Sequence, residues 1–290
     1  MIHWYFTEST NLIYWYFTEH VELHFSPSFP PFCAPQAAAR SIYRVEYTHE
    51  NDAFSFTGSA RQGSLGKFDA VCSVCQAPAR AWSLMVPGRK DCPASFTLDY
   101  RGYLMASRWN SHYRSKHVCV DYEAEGVAGS DSDAQSATLF PVETDGELSS
   151  EYADNKEISC AQCSTSAGPT YVRWGRTTCP TATTLVYKGR AAGSHHADQG
   201  GGHNYVCLHE TPTYGEVEAG LETDSARLYR VEYDTGTRGL WKLWRLHERN
   251  VPCAVCQTTG SLATLMQPGA TACPEGWSTE YTGKRAPCHY

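Results

Sequence analysis

The sequence predicts an all-β fold built from tandem disulfide-rich β units of about 90 residues each. The first observation is the spacing of the 13 cysteines, in which three CxxC pairs recur after 88 and then 93 residues. The second is that the runs of Val, Tyr and Leu are short and are bounded by Gly, Pro, Ser and Asp, which is typical of strands and turns. The third is that no long stretch carries the 3.6-residue apolar period of a helix.

The composition of the chain excludes several classes of protein. Its 290 residues include 41% hydrophobic and 19% charged residues, which is typical of a globular chain. The net charge is -7 and the sequence has no basic run, so we expect no nucleic-acid partner. No uncharged apolar stretch reaches about 18 residues, so we expect no membrane span. The 23 glycines follow no Gly-X-Y period, so this chain does not itself form a collagen triple helix.

Residues 1–32 differ from the rest of the chain and we interpret them as an aromatic-rich leader of doubtful status. The pentapeptide Trp4–Glu8 returns as Trp15–Glu19. The segment has no basic start, no continuous apolar stretch and no clear cleavage site of small residues, so it does not resemble a secretory signal. The favoured interpretation is a doubtful start site or a non-native leader. A buried amphipathic element and a surface anchor are the alternatives.

The repeats predict unit one at residues 33–120, unit two at 121–208 and a truncated unit three at 209–290. The expected elements of a unit come in a constant order. A strand carries a Val-Glu pair, and this pair lies at Val45, Val142 and Val231. A loop of variable length follows, and it leads to a strand that carries the CxxC pair.

The second part of each predicted unit is spaced more regularly. A Pro-Gly or Trp-Gly turn leads to a Cys-Pro pair at Cys92, Cys179 or Cys273, and a Tyr-x-Gly step begins eight residues after that cysteine each time. A closing strand around Cys119 or Cys207 completes the first two units. We interpret Cys33 as the closing cysteine of a preceding unit.

Three roles are open to the cysteines. Disulfides are favoured, because one disulfide typically stabilises a fold by about 2–4 kcal/mol and a small β unit with long loops needs such a constraint. Structural zinc is the alternative, since CxxC and a later cysteine supply three sulfurs and His112, His117 and His203 lie near two closing cysteines. A redox role is disfavoured because the CxxC pairs lie in expected strands, whereas low-pKa thiols of this type lie at helix N-termini.

Sequence alone does not fix which cysteines pair. We expect one cysteine of each CxxC to bind the preceding closing strand and the other to bind the following Cys-Pro. The predicted disulfide cysteines are Cys33, Cys72, Cys75, Cys92, Cys119, Cys160, Cys163, Cys179, Cys207, Cys253, Cys256 and Cys273. Cys288 is left over, and it is a candidate for an intermolecular disulfide.

The motifs of the chain resemble the spongin short-chain collagen-related family of invertebrates. The resemblance covers about residues 33–283 and rests on combined motifs: Val251–Cys256, Leu265–Met266 with Pro268–Gly269, Cys273–Trp277, Tyr100–Met105 with Val118–Asp121, and Gly200–Leu208. That family is distantly similar to the noncollagenous C-terminal domain of type IV collagen. The resemblance implies a secreted extracellular-matrix protein with a β-rich, disulfide-bonded fold, and it brings no catalytic residues.

The chain departs from this family's pattern in ways that bear on assembly. It has no collagenous tract. Gly189–Ala191 and Gly283–Arg285 replace the typical Gly-Tyr-Leu, and the last unit lacks its closing strand.

Two groups of residues are candidates for ligand binding. Trp241 and Trp244 lie in the variable loop of the last unit, where aromatic faces can stack on sugar rings. His195, His196 and His203 flank the glycines at 200–202 and are candidates for a divalent cation or a sugar-bridging ion. The alternatives are tryptophans that pack inside the fold and a solvated glycine-rich loop. We expect no metal centre and no cofactor.

The sequence therefore predicts a secreted, non-enzymatic extracellular-matrix or adhesion protein whose partners are other matrix proteins or glycans. No Gly-x-Ser-x-Gly or His-Glu-x-x-His motif is present to favour an enzyme. The alternative is a soluble, lectin-like protein that binds carbohydrate through its variable loops. A zinc-stabilised intracellular binding module is the third interpretation.

Overall fold

Strands make up 42% of the structure and helix only 1%, so the predicted all-β class is confirmed. The computed structural model describes residues 44–47, 65–130, 136–145, 148, 150–215, 225–235, 245–267 and 270–283. These residues belong to one compact unit, Tyr43–Tyr290. No helix among them is long and apolar enough to cross a lipid bilayer.

The described residues form eleven strands. The first six are β1 (Val45–Tyr47), β2 (Trp82–Pro87), β3 (Thr97–Ala106), β4 (Val118–Asp121), β5 (Ala137–Thr144) and β6 (Ser159–Thr165). The other five are β7 (Thr170–Trp174), β8 (Thr183–Gly193), β9 (Val206–His209), β10 (Ala226–Arg230) and β11 (Pro252–Thr258).

The strands form one mixed sheet in the order β2-β6-β3-β5-β10-β8-β11-β7. Three strands lie off this path: β1 pairs with β5, β4 with β3, and β9 with β8. Most pairs are antiparallel, but β5 pairs in parallel with both β1 and β10. The strands β2 and β7 therefore lie at opposite ends of the strand order.

Strands β2–β6 and strands β7–β11 pair in the same pattern. In the first set, β6 lies between β2 and β3, and β3 also pairs with β4 and β5. In the second set, β11 lies between β7 and β8, and β8 also pairs with β9 and β10. Each CxxC strand is thus the inner strand of a three-stranded group.

The Val-Glu pair marks an equivalent position three times. Glu46 bridges Asp69, Glu143 bridges Glu157 and Glu232 bridges Asn250. Each of these bridge partners lies three residues before the first cysteine of a CxxC pair. In all three predicted units, the Val-Glu segment therefore pairs with the residues that come directly before the CxxC segment.

Close approach of two strands explains the glycine in the Tyr-x-Gly step. A Cβ added to Gly102 would lie 1.7 Å from the carbonyl oxygen of Val120, and one added to Gly189 would lie 1.8 Å from that of Leu208. No other residue fits where two backbones come this close. The tyrosine before each glycine donates its hydroxyl hydrogen to the same closing strand: Tyr100 to the Cys119 carbonyl and Tyr187 to the Cys207 carbonyl.

The main hydrophobic core joins the two strand sets. Leu104 and Phe140 from the first set pack with Leu208 and Leu228 from the second. A smaller cluster contains Val255 and four disulfide cysteines, of which Cys163, Cys207 and Cys253 are buried and Cys92 is half-buried. Burial of apolar side chains contributes about 25 cal/mol per Å², and the shared core therefore holds the two strand sets together.

The predicted domain boundaries at residues 32, 120 and 208 stay a prediction. The repeated pairings agree with a tandem arrangement, but the strands of neighbouring predicted units share one sheet and one core. The leader at residues 1–32 lies outside the described residues.

Candidate functional site

Among the residues that the structure describes, four disulfides link the strands, and each joins two cysteines of the same chain. They are Cys92–Cys163, Cys119–Cys160, Cys179–Cys256 and Cys207–Cys253, with Cα–Cα distances of 5.7 to 5.9 Å. Each joins one cysteine of a CxxC pair to one of the two single cysteines that precede that pair. All four cross a predicted unit boundary, at 120 or at 208. The sulfur bonds therefore fasten neighbouring predicted units together.

The predicted pairing is confirmed for the closing strands. In two of the three CxxC pairs the first cysteine binds the preceding closing strand, as in Cys119–Cys160 and Cys207–Cys253.

The predicted pairing of the second cysteine is wrong. Cys163 was expected to bind the following Cys-Pro at Cys179, but it binds the preceding one at Cys92. The strand register explains this choice, because β6 runs between β2 and β3 and Cys163 lies opposite Leu84 and Leu98. The segment that joins β2 to β3 carries Cys92 and so lies beside Cys163.

Three cysteines predicted to form disulfides are free and exposed: Cys72, Cys75 and Cys273. The prediction is wrong for these three in this structure. In the observed disulfides, each Cys-Pro cysteine bonds to a CxxC pair that comes later in the chain. By this rule, Cys273 would need a CxxC strand inserted between the segments on either side of it. The predicted partner Cys33 and the leftover Cys288 lie outside the described residues.

The free thiols have only weak polar contacts. The Cys75 sulfur lies 3.6 Å from the Ser73 hydroxyl. The hydroxyl of Thr279 donates to the Cys273 sulfur at 3.3 Å, and that thiol donates to the Ser278 carbonyl at 3.7 Å. Exposed thiols with such contacts are accessible for disulfide exchange.

The glycine run at 200–202 is closely packed. A Cβ on Gly200 would lie 2.0 Å from the Arg108 carbonyl oxygen, and one on Gly202 would lie 1.9 Å from the His117 ring. Backbone hydrogen bonds join this run to the loop at 108–115. These three glycines therefore do not form the solvated loop that the sequence suggested as an alternative. They are buried where the two strand sets contact each other.

His117 is the buried residue at this contact. Its ring is 1% exposed, and both its backbone N–H and its Nδ1 contact the side-chain oxygen of Asn204, at 2.9 and 3.1 Å. Burial lowers the pKa of His117 to about 4, so the ring is neutral at physiological pH. Sequence reasoning placed His117 near a closing cysteine as a zinc candidate, but that cysteine is in a disulfide.

The structure brings His195 and His196 together. Their ring centroids are 4.1 Å apart, and His195 also lies 4.9 Å from the Tyr229 ring. Arg114 donates hydrogen bonds to the backbone carbonyls of His195 and Asp198. Burial raises the pKa of Asp198. The histidines are thus packed beside an arginine, which disfavours a cation.

Within the described residues, no group of three or more His, Cys, Asp or Glu side chains is placed to hold a metal ion. His203 is exposed and extends from the end of the glycine run. Trp241 and Trp244, the predicted contacts for carbohydrate, lie outside the described residues. Their role stays a prediction.

A cavity of about 240 Å³ lies beside the Cys92 turn, and sequence reasoning missed it. Its walls include Val86, Val186 and His209, and its polar group is an ion pair between Arg89 and Asp91 at 2.7 Å. The Arg89 guanidinium holds the pKa of Asp91 below its usual range. Asp91 is exposed and Arg89 is half-buried, and the two charges are already paired with each other. The cavity therefore offers a polar ligand no unpaired charge from this ion pair. No sequence spacing marks these residues, because the fold brings His209 to Arg89 from a distant strand.

A search against models of known protein families found no match to this chain.

Proposed function

We propose that this chain is a secreted, non-enzymatic extracellular-matrix or adhesion protein built from disulfide-bonded β repeats. The observation that carries the proposal is the set of four disulfides that join sheet strands across the predicted units. Disulfides of this number form and persist in oxidising compartments and are rare in the cytosol.

The positions of the disulfides favour a structural role. Cys160, Cys163, Cys253 and Cys256 are fully buried, so the bonds belong to the core and are protected from exchange. A covalent link between neighbouring units limits how far one unit can separate from the next under load. Such a chain resists mechanical extension, which suits a matrix or adhesion protein.

The resemblance to the spongin short-chain collagen-related family supports the same function. Of the motifs that carry the resemblance, the Tyr-x-Gly tyrosines bind the closing strands, and the cysteine of the Cys-Pro pair binds a CxxC strand, as in Cys92–Cys163. The motif set therefore encodes a disulfide-bonded β scaffold, which is the property that the resemblance implies.

The test is to express the full chain behind a secretion signal in cultured animal cells and to follow where it goes. We expect the protein in the deposited matrix, from which a denaturant with a reductant extracts it and a denaturant alone does not. Recovery of all the protein in the medium would contradict a matrix role.

The same material separates the other two interpretations. Glycan-array binding that is lost in the double variant Trp241→Ala/Trp244→Ala would favour the lectin-like function over the matrix function. Stoichiometric zinc together with free thiols at Cys160 and Cys163 would favour the zinc-stabilised module.

A further inference from the structure

Two exposed segments have the sequences of paired strands but lie outside the sheet in the part of the chain that the structure describes. The first is segment 71–77, which carries Cys72 and Cys75 and is not a strand. Its Val74 occupies the position that Val255 has in the CxxC strand β11. Val74 is 98% exposed, whereas Val255 is 1% exposed. Segment 71–77 thus exposes Val74 to solvent, whereas strand β11 buries the equivalent Val255.

The second consists of the stretches 262–267 and 277–283, on either side of Cys273. These stretches match β2 and β3 in sequence, yet neither is a strand. Met266 is 74% exposed, whereas its counterpart Met85 packs against the main core. The turn after Cys273 is already formed, because the Trp277 N–H donates to the Pro274 carbonyl at 3.1 Å.

The chain itself shows twice how these two kinds of segment fit together. Strand β6 lies between β2 and β3, and β11 lies between β7 and β8. In both cases the second cysteine of the CxxC pair binds the cysteine of the Cys-Pro pair, as in Cys92–Cys163 and Cys179–Cys256. By this rule Cys75 is the counterpart of the second cysteine, and Cys273 is the counterpart of its partner.

The two segments contact different parts of the sheet. Segment 71–77 is held at its start by the bridge between Glu46 and Asp69, beside β1, which pairs with β5. The stretches around Cys273 contact the end strand β7, where the Tyr281 hydroxyl donates to the Val172 carbonyl at 3.0 Å. Three strands (β10, β8 and β11) separate β5, which carries β1, from β7, so a CxxC segment can reach the Cys273 stretches more readily from a second copy.

We propose that segment 71–77 of one copy inserts between the stretches 262–267 and 277–283 of a second copy, and that Cys75 forms a disulfide with Cys273 of that copy. The inserted segment completes a three-stranded group like β2-β6-β3 and buries Val74 and Met266. This inference rests on the proposed extracellular function, because it requires an oxidising compartment.

The cross-link forms by thiol–disulfide exchange with a low-molecular-weight disulfide such as oxidised glutathione. The Cys75 thiolate attacks one sulfur of glutathione disulfide, which gives a mixed disulfide and releases one glutathione thiolate. The Cys273 thiolate then attacks the Cys75 sulfur and displaces the second glutathione. Two protein thiols are oxidised to one disulfide, and one glutathione disulfide is reduced to two thiols.

The contact uses different surfaces on the two copies, so it is heterologous. A heterologous contact that does not close into a ring produces an open, head-to-tail chain. Each added copy offers one free Cys75 segment and one free Cys273 site, so growth continues from both ends.

The test uses the purified full chain in a Cys288→Ala background, so that Cys288 supplies no second cross-link. The protein is incubated with a mixture of oxidised and reduced glutathione, then analysed by non-reducing electrophoresis and by peptide mapping. We expect a ladder of covalent oligomers that a reductant removes, with Cys75 and Cys273 in one linked peptide. The matched control Cys72→Ala should keep the ladder.

Complementation makes the test specific. The variants Cys75→Ala and Cys273→Ala should each remain monomeric when incubated alone. When they are mixed, the free Cys75 of one and the free Cys273 of the other should give a covalent dimer and no longer species. Val74→Asp should reduce the ladder severalfold with no change in the thermal midpoint of the monomer, because Val74 is exposed there.

Three results would overturn the inference. They are a mixture that stays monomeric, a ladder that persists in Cys75→Ala or Cys273→Ala alone, and a peptide map that links Cys75 to Cys33 within one copy. The outcome is separable from the proposed function. If the chain forms the ladder in solution but is not retained in a cell-deposited matrix, the matrix role is refuted and the proposed assembly stands. If the chain is retained but forms no ladder, the proposed assembly is refuted and the matrix role stands.

Discussion

Removal of the disulfide between Cys119 and Cys160 is expected to lower the free energy of unfolding by about 3 kcal/mol. The double variant Cys119→Ala/Cys160→Ala opens a loop with a sequence separation of 41 residues. A loop of that length alone would constrain the unfolded chain by about 4 kcal/mol in the chain-entropy model. The disulfide Cys92–Cys163 encloses this loop and keeps part of the constraint, which reduces the loss to about 3 kcal/mol.

Equilibrium unfolding in guanidinium chloride, followed by tryptophan fluorescence, measures this loss. The matched control is Cys72→Ala/Cys75→Ala, which also replaces two cysteines by alanine. Both control cysteines are free and exposed, so we expect a change within about 0.5 kcal/mol. Equal losses in the two double variants, or a loss below about 1 kcal/mol at Cys119/Cys160, would refute the reasoning.

Three further predictions follow from the contact between the strand sets and from the closing strands. Burial lowers the pKa of His117 from 6.5 to about 4, so the unfolded chain binds a proton at a higher pH than the folded chain does. The free energy of unfolding should therefore fall by about 3 kcal/mol as the pH drops from 6.5 to about 4. In melting curves recorded across this pH range, His117→Gln should remove that fall. Gly202→Ala should cost about 1–3 kcal/mol by overpacking in a denaturation measurement, whereas Gly283→Ala, which has open space for a Cβ, should cost under about 1 kcal/mol. Tyr187→Phe removes a buried hydrogen bond to β9 and should cost about 1 kcal/mol, against no measurable change for the exposed Tyr205→Phe. A flat pH profile, equal costs for the two glycines, or equal costs for the two tyrosines would each contradict its prediction.

The sequence predicts the fold class well because strand and turn signals are local. Short Val- and Tyr-rich runs correctly predict most of the described strands, but segment 71–77 and the stretches 262–267 and 277–283 have strand-like sequences and are not strands. The Tyr-x-Gly step is also visible at equal spacing, and the structure shows its physical reason in the close approach of Gly102 to β4.

The disulfide partners show where local information ends. Cys163 is 16 residues from Cys179 in sequence but bonds to Cys92, at a separation of 71 residues. Only the insertion of β6 between β2 and β3 decides this choice, and pairing of distant strands leaves no local signal.

The glycine run shows the same limit. Its composition is typical of a flexible loop, but Gly202 is buried against the His117 ring from another strand set. The cavity beside Arg89 is also formed by residues that are distant in sequence, so no spacing predicts it.

Peptide mapping of the secreted protein under non-reducing conditions decides whether each CxxC pair is bonded to the unit before it. We expect linked peptides that join Cys163 to Cys92 and Cys256 to Cys179, as in the structure. Linkage of Cys163 to Cys179, or free thiols at these four cysteines, would contradict this pairing.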